Sequence, residues 1–185
     1  MGRPILIALL CALLLGCSQG KVEVGVNPQT GLQTWKTLDQ DFSLELVPLL
    51  PDYVRAVFAN KGLPAEVVEA ISSYCVFGTI VRNEGNQALS YDMRTWRYVT
   101  ADGIEHRARP KSDWVETWRE QGIAFRWLLL HEAQSYAVGD WVQGFTTVKL
   151  PPGTQFDLHY SWQVGDRTYE RIIRDMACAP ATLDN

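Results

Sequence analysis

Residues 72–85 have the sequence SSYCVFGTIVRNEG, and the fold expected for the rest of the chain follows from this stretch. Most residues from 74 to 81 are β-branched or aromatic, which is typical of a β-strand. Because both faces of this strand are apolar, we expect it in the interior of a sheet. A turn is predicted at Asn83–Gly85, and residues 89–99 are expected to form the return strand.

The end of the chain carries the most regular strand pattern. Apolar and polar side chains alternate over residues 155–164, so one face of this strand is expected in the core and the other in water. Gly165-Asp166 predicts a tight turn that places Trp162 opposite Tyr169 in the last strand. Further strands are predicted over residues 41–46 (ended by Pro48), 123–129 and 142–150.

A hairpin is predicted in the middle of the chain. Asp102-Gly103 lies between two alternating segments and favours a two-residue type I′ turn, because both central residues of that turn need positive φ. The resulting register places Tyr98 opposite Arg107. It also places Trp96 opposite Arg109. This ladder is either decoration of a solvated face or a cationic, aromatic patch for an anionic or carbohydrate-like ligand.

Two helical insertions are predicted. Residues 51–59 and 65–71 each follow or begin with a proline and have one apolar face, so they predict a small helical hairpin. The hairpin either caps one end of a sheet or presents a binding face. A third helix of about two turns is predicted within residues 111–122, with Asp113 as its N-cap, Glu116 completing a capping box and Gly122 after its end.

These elements predict one domain over residues 35–180 and a short tail over 181–185. Roughly seven or eight short strands with closely spaced turns favour an antiparallel β-sandwich, with the helical hairpin and the short helix inserted. The pattern Val76-x-Gly78-x-Ile80-x-Arg82-Asn83-x-Gly85, followed by Leu150-Pro151-Pro152-Gly153, resembles the immunoglobulin-like modules of bacterial lipoproteins. The resemblance implies an immunoglobulin-like sandwich, and a fold of this kind does not specify an activity.

The N-terminus has the pattern of an export signal. Arg3 precedes an apolar run over residues 5–15 that is too short for a permanent transmembrane helix. The run ends in Leu14-Leu15-Gly16-Cys17, which resembles the lipobox of bacterial lipoproteins. The resemblance implies removal of residues 1–16 as a signal peptide and attachment of lipid to Cys17. The alternative is an ordinary secretory peptide in which this cysteine occurs by chance.

The lipobox also implies a location. Ser18 stands where an aspartate would imply retention in the inner membrane, so the expected location is the outer membrane, facing the periplasm. Residues 17–34 contain the lipidated cysteine and are predicted to form a flexible tether, because Gly, Gln, Asn and Thr are frequent there. Alternating valines at positions 22, 24 and 26 leave open an additional edge strand.

Composition and cysteine content limit the possible functions. The formal net charge is −4, and loss of Arg3 with the signal makes it more negative, so no basic field is available for nucleic acid. After export and lipidation Cys75 and Cys178 remain. We expect a disulfide between them in an oxidising compartment, and paired metal ligands are the alternative.

The sequence contains few residues in catalytic patterns. The three histidines, at positions 106, 131 and 159, have no metal-type spacing, and neither a nucleophile elbow nor a phosphate loop is recognisable. We therefore expect a non-catalytic module without a cofactor or a metal. The alternatives are a hydrolase with dispersed catalytic residues and a copper-handling lipoprotein. The copper ligands would come from Met93, His106, His131 and Met176.

The expected partner is a periplasmic or membrane protein, bound while the N-terminal lipid holds the chain at the membrane. Trp114, Trp118 and Arg119 lie on the predicted third helix. Asp140-Trp141 occupies a later turn, and we expect it at the same end of the sandwich as the helix. Tryptophan and arginine often dominate interface energies, so these residues are the candidate binding site, with burial of the indoles as the alternative.

Substitution Cys17→Ser tests the lipid anchor. We expect the variant to be released from membranes or to keep its signal segment, because serine cannot accept the thioether-linked lipid. Membrane fractionation and intact mass measure both effects. A Cys17→Ser protein that fractionates and matures like the parent would contradict the lipobox assignment.

Overall fold

The fold is known from a computed structural model, which describes residues 20–183. The predictions for residues 1–16 and for Cys17 lie outside the described residues. In the described part of the chain, no helix has both the length and the apolar character needed to cross a membrane.

The described residues form strands and three short α-helices. The strands are β1 (Lys21–Val26), β2 (Gln33–Asp39), β3 (Phe42–Leu49), β4 (Cys75–Asn83), β5 (Leu89–Asp92), β6 (Arg97–Thr100), β7 (Glu105–His106), β8 (Ala133–Tyr136), β9 (Trp141–Val148), β10 (Gln155–Val164) and β11 (Arg167–Ala177). The helices are α1 (Pro51–Asn60), α2 (Ala65–Ser72) and α3 (Lys111–Glu120).

Two antiparallel sheets pack face to face, which confirms the predicted β-sandwich. The first sheet has the order β1-β2-β3-β4-β9. In the second sheet β10 is central: β11 pairs with one edge, while β5 and β6 pair with successive parts of the other edge. Strand β4 lies between β3 and β9, in the interior of its sheet as expected.

The core between the sheets contains a large cluster of aromatic rings among aliphatic side chains. Phe42 of β3 stacks on Trp162 of β10 with ring centroids 5.0 Å apart, and it also contacts the rings of Tyr91 and Tyr160. The alternation in β10 is confirmed, because its apolar residues face this core and its polar residues face outward. The predicted register is confirmed as well, with Trp162 opposite Tyr169.

A second core covers the outer face of the first sheet. The three helices and the irregular segment 123–130 pack there against β4 and β9. Phe58 of α1 is buried against Trp118 of α3 and Phe145 of β9. The helical hairpin thus covers a sheet face and does not cap an end.

The return strand after β4 is predicted in the wrong sheet. Residues 84–88 carry the chain across the sandwich, and β5 pairs with β10 of the opposite sheet. The buried Asn83 side chain holds this crossing: its Nδ2 donates to the carbonyl oxygens of Gln87 and Ala137, at 2.8 and 3.0 Å, and its Oδ1 accepts from the Gly85 amide at 3.0 Å. In the first sheet, β9 pairs with the edge of β4 where the return strand was expected. This pairing depends on residues far from β4 in the sequence.

The predicted hairpin at Asp102-Gly103 is present, but its loop is one residue longer than predicted and its strand register is shifted by one residue. Val99 pairs with Glu105 and Tyr98 with His106, so the loop has three residues and only Gly103 has positive φ, at 81°. The expected ladder therefore does not form. Tyr98 and Trp96 are buried in the core, Arg107 binds backbone carbonyls, and Arg109 lies 4.0 Å from the Trp114 ring instead.

Several element boundaries differ from the predictions. Strand β3 continues through Pro48, which pairs with Phe77. Residues 123–129 are irregular, because their apolar side chains fill the second core and Leu128 has a φ of 69°. Helix α3 begins at Lys111 after Pro110, and no side chain caps it, so the capping box is absent. Within the predicted tether, residues 21–26 form β1 and residues 33–34 begin β2, so the edge strand that the alternating valines left open is present.

The predicted disulfide between Cys75 and Cys178 is present, with the two Cα atoms 5.4 Å apart. It joins β4 of the first sheet to the chain just after β11 of the second sheet. The bond closes a loop over a sequence separation of 103 residues. In the chain-entropy account, a loop of this length stabilises the fold by about 4–5 kcal/mol as an upper value.

Removing the disulfide is expected to destabilise the domain. The double variant Cys75→Ser/Cys178→Ser should lose about 2–5 kcal/mol of unfolding free energy. Denaturant unfolding of the variant and of the oxidised parent measures the difference, and the parent under reductant is the control. Alkylation of the unreduced parent at both thiols, detected by intact mass, would show that the bond does not form.

Candidate functional site

An open depression lies on the outer face of the second sheet. Its volume is about 660 Å³. The face is polar because outward residues of β10 alternate with the aromatic residues that point into the core. Within residues 20–183 no helix covers it, since the three helices pack against the first sheet. The residues that line it are Arg94, Thr95, Arg97, Arg107, His159, Tyr160, Ser161, Glu170, Arg171 and Ile172.

We call the group Arg94, Arg97, Arg107 and His159 the arginine face. Arg97 of β6 lies directly opposite His159 of β10, so their side chains are neighbours on the outer surface. Arg97 donates from Nη1 to Glu105 at 3.1 Å, which orients the guanidinium group along the sheet. The remaining N–H groups of an arginine in this position stay available to a ligand.

Arg107 holds the backbone that carries the other two arginines. Its Nη1 donates to the carbonyl oxygens of Arg94, Thr95 and Trp96, at 3.2, 2.9 and 3.2 Å. These residues form the short 3₁₀ turn and its end between β5 and β6. One guanidinium group therefore fixes the loop through three backbone acceptors and still adds its charge to the depression.

Arg94 is held by a neighbouring carboxylate. Its Nε and Nη2 donate to the Asp92 side chain at 2.8 and 2.6 Å, a bidentate geometry that fixes the guanidinium plane. The hydrogen bond from Arg94 lowers the pKa of the Asp92 carboxyl below its usual value, with burial opposing this effect. Asp92 also accepts from the Arg94 backbone amide at 3.0 Å and so caps the 3₁₀ turn.

Arg171 borders the depression, but its guanidinium group is engaged in an ion pair that links the two sheets. Its Nε forms an ion pair with Asp39, which is buried at the end of β2. The pair links the edge of the second sheet to the first sheet, and the Arg171 guanidinium also lies 5.9 Å from the Trp162 ring centroid. The arginine face therefore offers three guanidinium groups to a ligand, beside the acidic Glu105 and Glu170.

The predicted partner-binding residues do not form one site. Trp114 and Trp118 are each 1% exposed, and Trp114 Nε1 donates to Thr147 Oγ1 at 2.9 Å. Their indoles are therefore core residues that a partner does not reach in this fold. Arg119, on the same helix, is exposed.

Asp140 and Trp141 lie far from helix α3. Trp141 starts β9 and contacts Arg82, whereas Trp114 is anchored at Thr147, six residues further along the strand. Six residues of β-strand span about 20 Å, so the two groups lie at opposite ends of β9. The expectation that they meet at one end of the sandwich is wrong.

The proposed copper ligands are also dispersed. Met93 follows β5, which pairs with residues 162–164 of β10, whereas Met176 lies opposite Phe156 at the other end of β10. Both methionine side chains are buried. His131 Nε2 lies 3.2 Å from the Lys111 ammonium group, and His106 lies near Thr100. Within residues 20–183, no group of three or more His, Cys, Asp or Glu side chains is placed to hold a metal ion.

Comparison with known proteins adds no relative: no protein-family model, no curated protein and no solved structure matches the chain. The function has to be inferred from the surface chemistry of the chain itself.

Substitutions in helix α3 test the burial of its indoles. Trp118→Ala should cost about 3–5 kcal/mol of unfolding free energy, because it leaves a cavity in the second core. The matched control is Arg119→Ala, the next residue, whose side chain is 74% exposed and should change stability little. Thermal or denaturant melts compare the two variants. A Trp118→Ala protein as stable as the parent would contradict the packing described above.

Proposed function

We propose that the protein is a lipid-anchored, non-catalytic binding module of the bacterial cell envelope that recognises a protein partner through the arginine face. One observation carries the proposal: three exposed or half-exposed guanidinium groups converge on a single open depression, although the whole chain has a net charge of −4. Asp92, Glu105 and Glu170 offset part of this charge, but the oriented guanidinium groups still present N–H donors to one surface, which favours carboxylates of an acidic segment of a partner.

The lipid anchor is supported by the lipobox at residues 14–17. Strand β1 begins at Lys21, four residues after Cys17. A chain of four residues spans at most about 14 Å, so lipid on Cys17 would keep the domain close to the bilayer. The disulfide fits an oxidising compartment such as the periplasm. The outer membrane, facing the periplasm, is the location that Ser18 favours.

The chemistry of the arginine face favours binding over catalysis. Arginine stays protonated at physiological pH, so it offers charge and hydrogen-bond donors and does not transfer protons. The guanidinium groups are held by Asp92, Glu105 and backbone carbonyls, which orients them before a ligand arrives. Preorganised donors of this kind suit carboxylates of a partner, because less side-chain entropy is lost on binding.

Charge reversal at Arg97 tests this function. The full lipidated protein, purified in detergent, is used to capture partners from solubilised cell envelopes, and captured proteins are quantified. We expect Arg97→Glu to reduce capture of the main partner at least about tenfold, and capture by the parent to weaken as salt rises. The substitution removes only a half-exposed ion pair, so the melting temperature should change little.

The matched control is Arg126→Glu, a charge reversal at an exposed arginine outside the depression. Both variants change the net charge equally, so a general electrostatic effect would reduce capture in both. Equal capture by Arg97→Glu and the parent would remove the arginine face as the recognition surface. Unchanged capture at high salt would do the same.

A further inference from the structure

The first sheet extends beyond the second sheet at one edge. Strand β2 lies across the sandwich from β10 and β11: the Tyr160 hydroxyl donates to Thr37 Oγ1 at 3.2 Å, and Arg171 pairs with Asp39. In the part of the chain that the structure describes, the second sheet ends at β11, but the first sheet has one further strand, β1, beside β2. Strand β1 therefore projects past the last strand of the opposite sheet.

The projecting strand presents apolar side chains on its inner face. Val22 lies opposite Thr37 and Val24 opposite Trp35, both of which are buried, so the valines share the face that points into the sandwich. Val22, Val24 and Val26 nevertheless have exposed fractions of 37%, 58% and 64%. We call these three residues the valine stripe. Its exposure increases along β1, away from the Arg171–Asp39 pair.

Strand β11 borders the same space with an open edge. One edge of β11 pairs with β10 regularly over residues 167–173, and a bulge at residues 174–175 separates this part from the end of the strand. Among the described residues, β11 is the last strand of its sheet. An edge of this kind presents a row of backbone N–H and C=O groups that another strand can pair with. We call the space between this edge and the valine stripe the edge notch.

We propose that the edge notch binds one extended segment of a partner protein by β-strand addition to β11. The segment would pair with the β11 backbone, and its alternate side chains would cover the valine stripe, because side chains along a strand point alternately to the two faces. The segment is therefore apolar at every second position over about six residues, with no proline on the paired edge. This inference rests on the proposed protein-binding function and specifies the kind of segment bound.

The geometry favours a single strand over other occupants. If two copies joined edge to edge through antiparallel β11 strands, each β1 would project toward the other on the same side of the joined sheet, and the two would collide. A lipid surface could cover the valines but would supply no ordered backbone partners for β11. A single added strand pairs with the β11 backbone and also covers the valine stripe.

The bound segment would also adjoin the arginine face. Ile172 of β11 lies opposite His159, which lies opposite Arg97, so one row of the outer face leads from the notch to the arginines. Side chains of the added strand that point outward would extend this row. The edge notch and the arginine face together would bind an extended segment that is followed or flanked by acidic residues.

A self-complementing extension of the full chain tests the notch. A linker of about ten Gly and Ser residues after Asn185, which spans up to about 35 Å, is followed by Thr-Val-Thr-Val-Thr-Val. Tethering raises the effective concentration of the strand, so a generic sequence suffices. We expect the β11 amides to exchange with solvent at least about tenfold more slowly and the melting temperature to rise by about 2–4 °C.

Two controls make the result specific. The same extension with aspartate in place of each valine, and the valine extension on a Val24→Asp chain, should both lose the protection. The valine extension on a Val138→Asp chain should keep it, because Val138 is an exposed valine outside the notch.

Three outcomes would overturn the proposal: no protection of β11, equal protection by the aspartate extension, or protection of the unmodified chain by self-association or by lipid vesicles alone. Arg97→Glu should leave docking of the extension unchanged. Failure of the arginine face and failure of the edge notch are thus distinguishable.

Discussion

Stacking of Phe42 on Trp162 across the two sheets is the contact on which the sandwich depends. Both rings are fully buried, and Tyr91, Tyr160 and Tyr169 pack around them. Large aromatic side chains supply much apolar area in few residues, and offset or edge contacts add to the area term. This cluster joins the two sheets at the centre of the core, and the Cys75–Cys178 bond is a covalent link between them.

The aromatic core works because its polar atoms find partners. Trp96 Nε1 donates to the Ser161 carbonyl oxygen at 3.1 Å, and the Tyr160 hydroxyl donates to Thr37. A buried donor without a partner would cost about 1–3 kcal/mol, so these bonds also restrict how the sheets can slide. Burial raises the pKa of the Tyr98 and Tyr160 phenols, which keeps them neutral donors at physiological pH.

The helices make the two outer faces of the sandwich different. They bury Trp114 and Trp118 against the first sheet and leave the outer face of the second sheet polar. The open face holds the arginines, and the edge next to it holds the valine stripe. The arginine face and the edge notch therefore both lie on parts of the sandwich that the three helices leave uncovered. Both are formed by the placement of β10 and β11 in the second sheet.

The sequence by itself determined the features that depend on local chemistry. Alternation in residues 155–164 and the turn at Gly165-Asp166 specify β10, its register with β11 and the inward face, because period and turn type are local. Cys75 and Cys178 are the two cysteines outside the predicted signal peptide and lipidation site, and this predicts their pairing. Only the tertiary structure decided which sheet receives β5, since Asn83 bonds to residues more than fifty positions away. It also decided that the indoles of α3 are buried and that Arg94, Arg97 and His159 meet. Periodicity shows which face of a strand is polar, but not which strand lies beside it, because pairing depends on contacts between segments distant in sequence.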